Sequence, residues 1–200
     1  MTAVHVVTTP IHRRIALAAD GTRRERVFVR CPRGGGWEPL EGCRRCGSCA
    51  HLSTPDRTDD WLLVCQAPRT ATPRSPTTAA ERAPISEAME ASVLCAARDV
   101  PSAMLAAAMR DGDFEIAVVV DADERPIGIV APVDLARARG STAGAAMTPF
   151  ATALLENAPV SRGVAFAVEG DLQHIPVLSS GRVMGLVSPR SLLEWLMSAR

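Results

Sequence analysis

The sequence predicts a mixed α/β (α+β) protein in which a small β-rich, cysteine-clustered module precedes two copies of one helix, strand, strand, helix unit. Three observations carry this expectation. The second half of the chain repeats itself at a near-constant offset, apolar residues inside each copy switch between helical and alternating spacing, and five of the six cysteines crowd between residues 31 and 65. The expected organisation is a Cys-cluster module over 1–66, a Pro/Thr-rich linker over 67–83, and repeats over 84–140 and 141–200.

Two hundred residues with 47% apolar and 22% charged content can bury a core of ordinary size. Formal net charge is zero, yet residues 1–70 hold 11 Arg against 7 acidic residues and 71–200 hold 11 Arg against 15, a split of +4 and −4. The two halves are therefore expected to be electrostatically distinct modules. No segment approaches the roughly 20 apolar residues that cross a bilayer, and residues 1–30 lack the pattern of a secretory signal, so a cytoplasmic protein is expected. A reducing compartment disfavours structural disulfides, which turns the Cys cluster towards metal binding first.

Residues 1–30 alternate apolar and polar positions, with Asp20-Gly21 between residues 14–18 and 26–30, the pattern of a β-hairpin leading into Cys31. Trp61-Leu62-Leu63-Val64-Cys65 reads as a further strand ending in cysteine. Residues 67–78 are too rich in Pro, Thr and Ser for a core element and read as exposed linker. In the repeats, Asp99 and Asn157 are placed to cap helices that Gly112 and Gly170 end. Strands are expected at 116–120 and 126–130, joined by a turn over 121–125, then a helix over 133–139. The second copy has strands at 174–178 and 183–187, a tighter turn at Ser179-Ser180-Gly181, and a helix over 190–197.

At an offset of 58, Ile85-Ser86-Glu87-Ala88-Met89 falls on Ala143-Gly144-Ala145-Ala146-Met147, and Asp99-Val100-Pro101 falls on Asn157-Ala158-Pro159. The same offset pairs Asp111-Gly112-Asp113-Phe114 with Glu169-Gly170-Asp171-Leu172, and Ile116-Ala117-Val118-Val119-Val120 with His174-Ile175-Pro176-Val177-Leu178. At 57, Gly128-Ile129-Val130-Ala131-Pro132 falls on Gly185-Leu186-Val187-Ser188-Pro189.

The Met-ending short helices, the Gly-Asp links, His174-Ile175-Pro176-Val177 and the Gly-aliphatic-aliphatic runs together resemble the cystathionine β-synthase-type (CBS) domain over about 84–197. The resemblance implies a tandem CBS pair of two βαββα repeats packed by pseudo-twofold symmetry. It implies a non-catalytic regulatory role, a cleft that takes an adenine nucleotide or S-adenosylmethionine, and a homodimer formed by stacked pairs. The residues it places at the ligand are Gly128, Asp134, His174, Gly185 and Ser188. The family signature ends in Gly, two aliphatics, Ser or Thr, two variable residues and Asp, because a hydroxyl at a helix start can meet phosphate and a carboxylate can accept ribose hydroxyls. Here the signature is divided: Ala131 replaces the hydroxyl in the copy that keeps Asp134, and Ser191 replaces the carboxylate in the copy that keeps Ser188. Asp134 and Ser188 serve equally well as helix caps, and Arg190 is placed either as a phosphate contact or as a solvated surface charge.

For the Cys cluster, the two-residue gap of Cys43-Arg44-Arg45-Cys46 lets both sulfurs face one ion, and Cys31 and Cys65 can complete a tetrahedral zinc site with Cys49 as alternative ligand and His51 nearby. The segment resembles a zinc-ribbon-like module. Iron–sulfur ligation by Cys43, Cys46 and Cys49 lacks its fourth cysteine, and unmetallated thiols are the remaining alternative. Cys95, Met104 and Met109 read as core filling, while His5 and His12 read as surface residues. Gly34-Gly35-Gly36 follows no strand in the manner of a phosphate loop, and no Ser, His and acid constellation can be placed together, so no enzyme is expected. A CBS pair without ligand, acting as a dimerisation or interaction scaffold, is the alternative to ligand sensing that the divided signature favours, and nucleic-acid binding through Arg23, Arg24, Arg26, Arg33, Arg44 and Arg45 ranks below both, since aromatic residues there are limited to Phe28, Trp37 and Trp61.

Overall fold

The computed structural model describes residues 5–9, 11–31, 36–53, 62–67, 76–138, 142–149, 152–169 and 173–198. Arg33, Gly34, Gly35, Trp61, linker residues 68–75 and the Gly170-Asp171 link lie outside them. Strands β1 (His5–Thr9), β2 (Ile11–Leu17), β3 (Arg23–Arg30) and β4 (Trp37–Pro39) precede the short helix α1 (Leu40–Arg44), followed by β5 (Cys49–Ser53) and β6 (Leu62–Ala67). The expected hairpin is β2–β3, registered from Ile11 opposite Val29 to Leu17 opposite Arg23. Its turn needs a left-handed residue, supplied by Gly21 at φ 84°, and the Thr22 amide donates to Asp20 Oδ1 at 2.8 Å.

Helix α2 (Pro76–Arg82) occupies part of the segment expected as exposed linker, and Ala79 and Ala80 are buried. Pro76 at the first helical position and the helix-forming run Ala79-Ala80-Glu81-Arg82 outweigh the Thr content of the segment and the composition of the flanking residues. A 3₁₀ turn (Ile85–Ala88) opens the first repeat, then β7 (Ser92–Ala97), α3 (Ser102–Asp111), β8 (Ala117–Val120), β9 (Pro126–Val130) and α4 (Pro132–Arg137). The second repeat runs α5 (Ala143–Ala146), β10 (Leu154–Leu155), α6 (Val160–Glu169), β11 (Ile175–Ser179), β12 (Arg182–Val187) and α7 (Pro189–Ser198). Each copy thus has an opening strand that the residues alone did not reveal. In both, the opening strand runs parallel to the next strand and that strand runs antiparallel to the last.

The copies exchange their first segments. Ile85 N donates to Ala158 O, as Ala143 N does to Val100 O, and Ser86 N donates to Glu156 O, as Gly144 N does to Arg98 O. An offset of 58 relates both members of each pair. The isolated bridges Pro84 to Pro159 and Pro101 to Thr142 obey the same relation. This is pseudo-twofold packing expressed in named hydrogen bonds. It also corrects the helix starts: α3 begins after Pro101, which has φ −58° and ψ 134° and no side-chain cap, so Asp99 does not cap it. Pro101 is held extended by its bridge to Thr142, which delays the helix.

Gly112 does end α3, though its φ of −104° shows that conformation is not the reason. A Cβ there would collide with the Phe114 ring. The left-handed residue is Asp113 at φ 52°.

Three apolar clusters hold the repeats. Leu94, Leu105, Met109, Val119 and Val130 bury against α5 on one side, Ile85, Val160, Ile175, Val187 and Leu192 on the other. Between them Val93, Cys95, Val118, Val183 and Leu186 join the facing sheets. The N-terminal hairpin belongs to this body: β2 pairs in parallel with β7 from Arg13 opposite Ser92 to Leu17 opposite Ala96. The result is a six-stranded sheet, β4-β3-β2-β7-β8-β9, beside three-stranded sheets β1-β6-β5 and β10-β11-β12. Ile15 and Leu17 are buried in the same cluster as Leu94.

Candidate ligand cleft and thiol cluster

A cleft of about 860 Å³ opens where the two copies meet at the start of α7. Residues 87–92 form one wall, 113–116 and 173–174 another, and Leu186, Ser188, Arg190, Ser191 and Trp195 the third, with Ile11 of β2 at the rim. His174 and Ser188 both line it. Gly185 lies beneath, where a Cβ would come 2.6 Å from Met89 Sδ and 2.9 Å from His12 Cε1. Gly128 takes the matching position in the first copy, where a Cβ would come 2.8 Å from Met147 Sδ. Gly128 and Asp134 do not line this cleft.

Both signature side chains act as caps. Asp134 Oδ2 accepts the Ala131 amide at 2.9 Å. In the other copy Ser191 Oγ accepts the Ser188 amide at 3.0 Å, and Ser188 Oγ accepts the Ser191 amide at 3.3 Å. Ser191 therefore does for α7 what Asp134 does for α4. The cleft is acidic, lined by Glu87, Glu90, Asp113, Glu115 and Glu194 against Arg190 and His174. Arg190 is already engaged, its Nε donating to Glu194 Oε1 at 3.0 Å, and His174 Nε2 lies 3.9 Å from Glu115 Oε2.

His12 departs from its expected place. It is 2% exposed, with Nδ1 2.7 Å from Glu90 O and Nε2 2.5 Å from Met184 O. Its ring meets Trp37 edge-on at 6.0 Å between centroids. Burial holds its pKa below 6.5, against the opposing pull of the two carbonyls. Its position in a β-hairpin was legible, but which face of β2 would be covered was decided by pairing with β7.

In the thiol cluster, Cys43 and Cys65 are buried with Val29 and Leu40, and Cys49 packs against them. Cys49 stands opposite Cys65 in the β5–β6 register, so Cys65 lies within its strand and does not end it. The knuckle is built by Cys46 N donating to Cys43 O at 3.0 Å and Cys49 N donating to Cys46 O at 3.1 Å. Burial pushes the Cys43 thiol up to about 11, and Cys65, Cys31, Cys46 and Cys49 each push in the same direction. Five sulfurs therefore share one neighbourhood, although among the described residues no three His, Cys, Asp or Glu side chains are grouped closely enough to hold a metal as they stand. The side chain of His51 lies outside the described residues. Cys95 is fully buried beside Arg14, its pKa raised to about 11 by burial, as expected of core filling. Arg23, Arg24 and Arg26 are exposed along β3. No helix of the described residues is long and apolar enough to cross a membrane.

No protein-family model matches the chain, and no curated protein does. Solved structures do. The CBS domain of a CBS-domain-containing membrane protein from Sphaerobacter thermophilus aligns at TM-score 0.54 and 21% identity over 60% of this chain and 91% of that one. The fold is that of a CBS-domain pair. CBSX2 in complex with AMP aligns at TM-score 0.53 and 12% identity, over 58% of this chain and 97% of its own. The CBS-domain pair of protein MJ0100, in complex with 5′-methylthioadenosine and S-adenosyl-L-methionine, aligns at TM-score 0.52 and 17% identity, over 58% of this chain and 98% of its own.

Proposed function

We propose that this chain is a non-catalytic regulatory protein whose CBS pair takes an adenosine-containing ligand in the cleft beside Ser188. The observation that carries the reading is the cleft itself, bounded by both copies and lined by His174 and Ser188. The complexes that similarly folded proteins form with AMP, or with 5′-methylthioadenosine and S-adenosyl-L-methionine, support it. The lining charges favour one class. Five carboxylates line the cleft, Glu87 among them paired with Arg30, against one Arg among the described lining residues, Arg190, which forms an exposed pair with Glu194, so the lining is net acidic and disfavours phosphate. A sulfonium or uncharged adenosine derivative is accordingly favoured over AMP or ATP. Ligand binding shifts the pair between arrangements only through differential affinity, and Ile11 at the rim gives the N-terminal hairpin a share in that difference. Isothermal titration with S-adenosylmethionine, 5′-methylthioadenosine, AMP and ATP tests this. Heat with the first two and weaker or no heat with the nucleotides is expected; silence with all four removes the reading.

The thiol neighbourhood supports a second element, a structural zinc ion. Cys31, Cys43, Cys46 and Cys65, with Cys49 as the alternative, are the soft donors zinc prefers, and the burial of Cys43 supplies the dry setting of a closed site. Metal would draw these sulfurs closer than they lie here. A homodimer through the CBS pair is favoured by the exposed apolar residues Leu193 and Met197 on α7 and Val168 on α6. In a pair without ligand, that surface makes the protein a dimerisation scaffold.

A further inference from the structure

Cys49 and Cys65 stand directly opposite one another where β5 meets β6. Side chains at opposed positions of an antiparallel pair leave the same face, with Cα atoms about 4.5 or 5.5 Å apart and Cβ atoms roughly 4.5–5.5 Å apart. A disulfide spans about 4.4–6.8 Å between Cα atoms, so this register suits one without moving a strand. The ladder breaks just after Cys49: the next partners are His51 and Val64, so β5 advances two residues while β6 advances one. Such a bulge releases the Cys49 position from regular pairing and lets its side chain close the remaining distance.

We propose that Cys49 and Cys65 form a reversible dithiol–disulfide pair, closed by a peroxide and reopened by a thiol, with Cys49 as the sulfur that meets the oxidant. β5 is an outer strand of the sheet β1-β6-β5 and Cys49 is half-buried, whereas Cys65 lies in the middle strand at 7% exposure. Cys49 sulfur attacks hydrogen peroxide: an S–O bond forms as the O–O bond breaks, and the departing hydroxide leaves as water with the thiol proton. Cys65 sulfur then attacks the Cys49 sulfenic acid, forming the S–S bond as the S–O bond breaks, and its proton leaves with the hydroxyl as a second water. Two thiols are oxidised and one peroxide is reduced. Two equivalents of a small thiol reverse the change by exchange.

The other sulfurs are placed less well for such a bond. Cys43 is buried within α1 beside Val29 and Leu40, while Cys46 lies beyond the end of that helix and is exposed. Cys95 belongs to the core between the repeats. Transient disulfides of this kind are the ones a reducing compartment permits. The pair also explains a fifth sulfur beside the four corners that zinc needs. Bonding Cys65 to Cys49 leaves only Cys31, Cys43 and Cys46 as donors, too few for a closed site, so the ion is released. That consequence alone rests on the zinc reading; the pair itself rests on strand register.

Peptide mapping of the full chain tests this. Protein as purified is treated with hydrogen peroxide, its remaining thiols are blocked with iodoacetamide, and the chain is cut after Arg, which places Cys49 in residues 46–57 and Cys65 in residues 58–69. The expected product is these two peptides joined, with fragmentation placing the bond at Cys49 and not at Cys46, and with dithiothreitol returning both sulfurs to thiols. Cys49→Ser is expected to leave Cys65 open to iodoacetamide, and Cys43→Ser still to form the link. Should either variant not fold, the map of the natural protein decides by itself. Cys65 that stays a thiol, joins a different cysteine or is carried on to sulfinic acid overturns the proposal. Where zinc is bound, its release is expected to keep pace with the link. A link formed in protein that holds no zinc upholds the pair and removes the zinc reading instead.

Discussion

At Cys43 a thiol that is 8% exposed has its pKa raised to about 11 and stays protonated at neutral pH without metal. Zinc must displace that proton, so metal affinity is expected to fall as pH falls. Elemental analysis of protein purified without added metal is expected to find about one zinc per chain. Cys43→Ser is expected to lose it, while Cys95→Ser, remote in the inter-repeat core, keeps it. A Cys43→Ser protein with undiminished zinc overturns the assignment. The clustering of these cysteines was legible from spacing alone, whereas the position of Cys65 inside β6 and opposite Cys49 depended on strand register.

Among the elements, α4 and α7 show why the divided signature was ambiguous. One carboxylate or hydroxyl can cap a helix or touch a ligand, and sequence names only the atom. The structure engages Asp134 and Ser191 with the amides of Ala131 and Ser188. Ser191→Ala is expected to cost about 1 kcal/mol in urea unfolding, within the usual range for a lost cap. Ser191→Asp is expected to retain that stability, because Asp134 serves the equivalent helix. Unchanged stability in Ser191→Ala argues that the cap contributes nothing. The two later strands of each repeat and the turns between them were legible because β-branched runs alternate with turn residues such as Asp121, whose Oδ1 accepts two amides, and Gly181 at φ 79°. Opening strands β7 and β10 escaped notice, since one is a continuous apolar run and the other only two residues long.

For the whole molecule, the consequential feature is that the N-terminal hairpin is built into the first CBS sheet. Removing residues 1–83 strips β2 from β7 and takes Ile15 and Leu17 out of the core. The remaining 84–200 is expected to unfold at lower urea than the full chain and to associate through the bared β7 edge. A fragment as stable as the parent overturns this. The repeated pattern by itself determined that two like units exist, where their helices and later strands run, and which cysteines cluster, because periodicity and turn chemistry are local properties. Tertiary structure decided that the units exchange first segments, that Asp134 and Ser191 cap helices, that β2 joins β7 and that His12 is buried beside the cleft. The exchange, the β2–β7 pairing and the burial of His12 depend on pairings between residues far apart in the chain, and a sheet edge carries no mark in the sequence of the strand that will cover it; the caps are local, but the same side chain could equally have met a ligand.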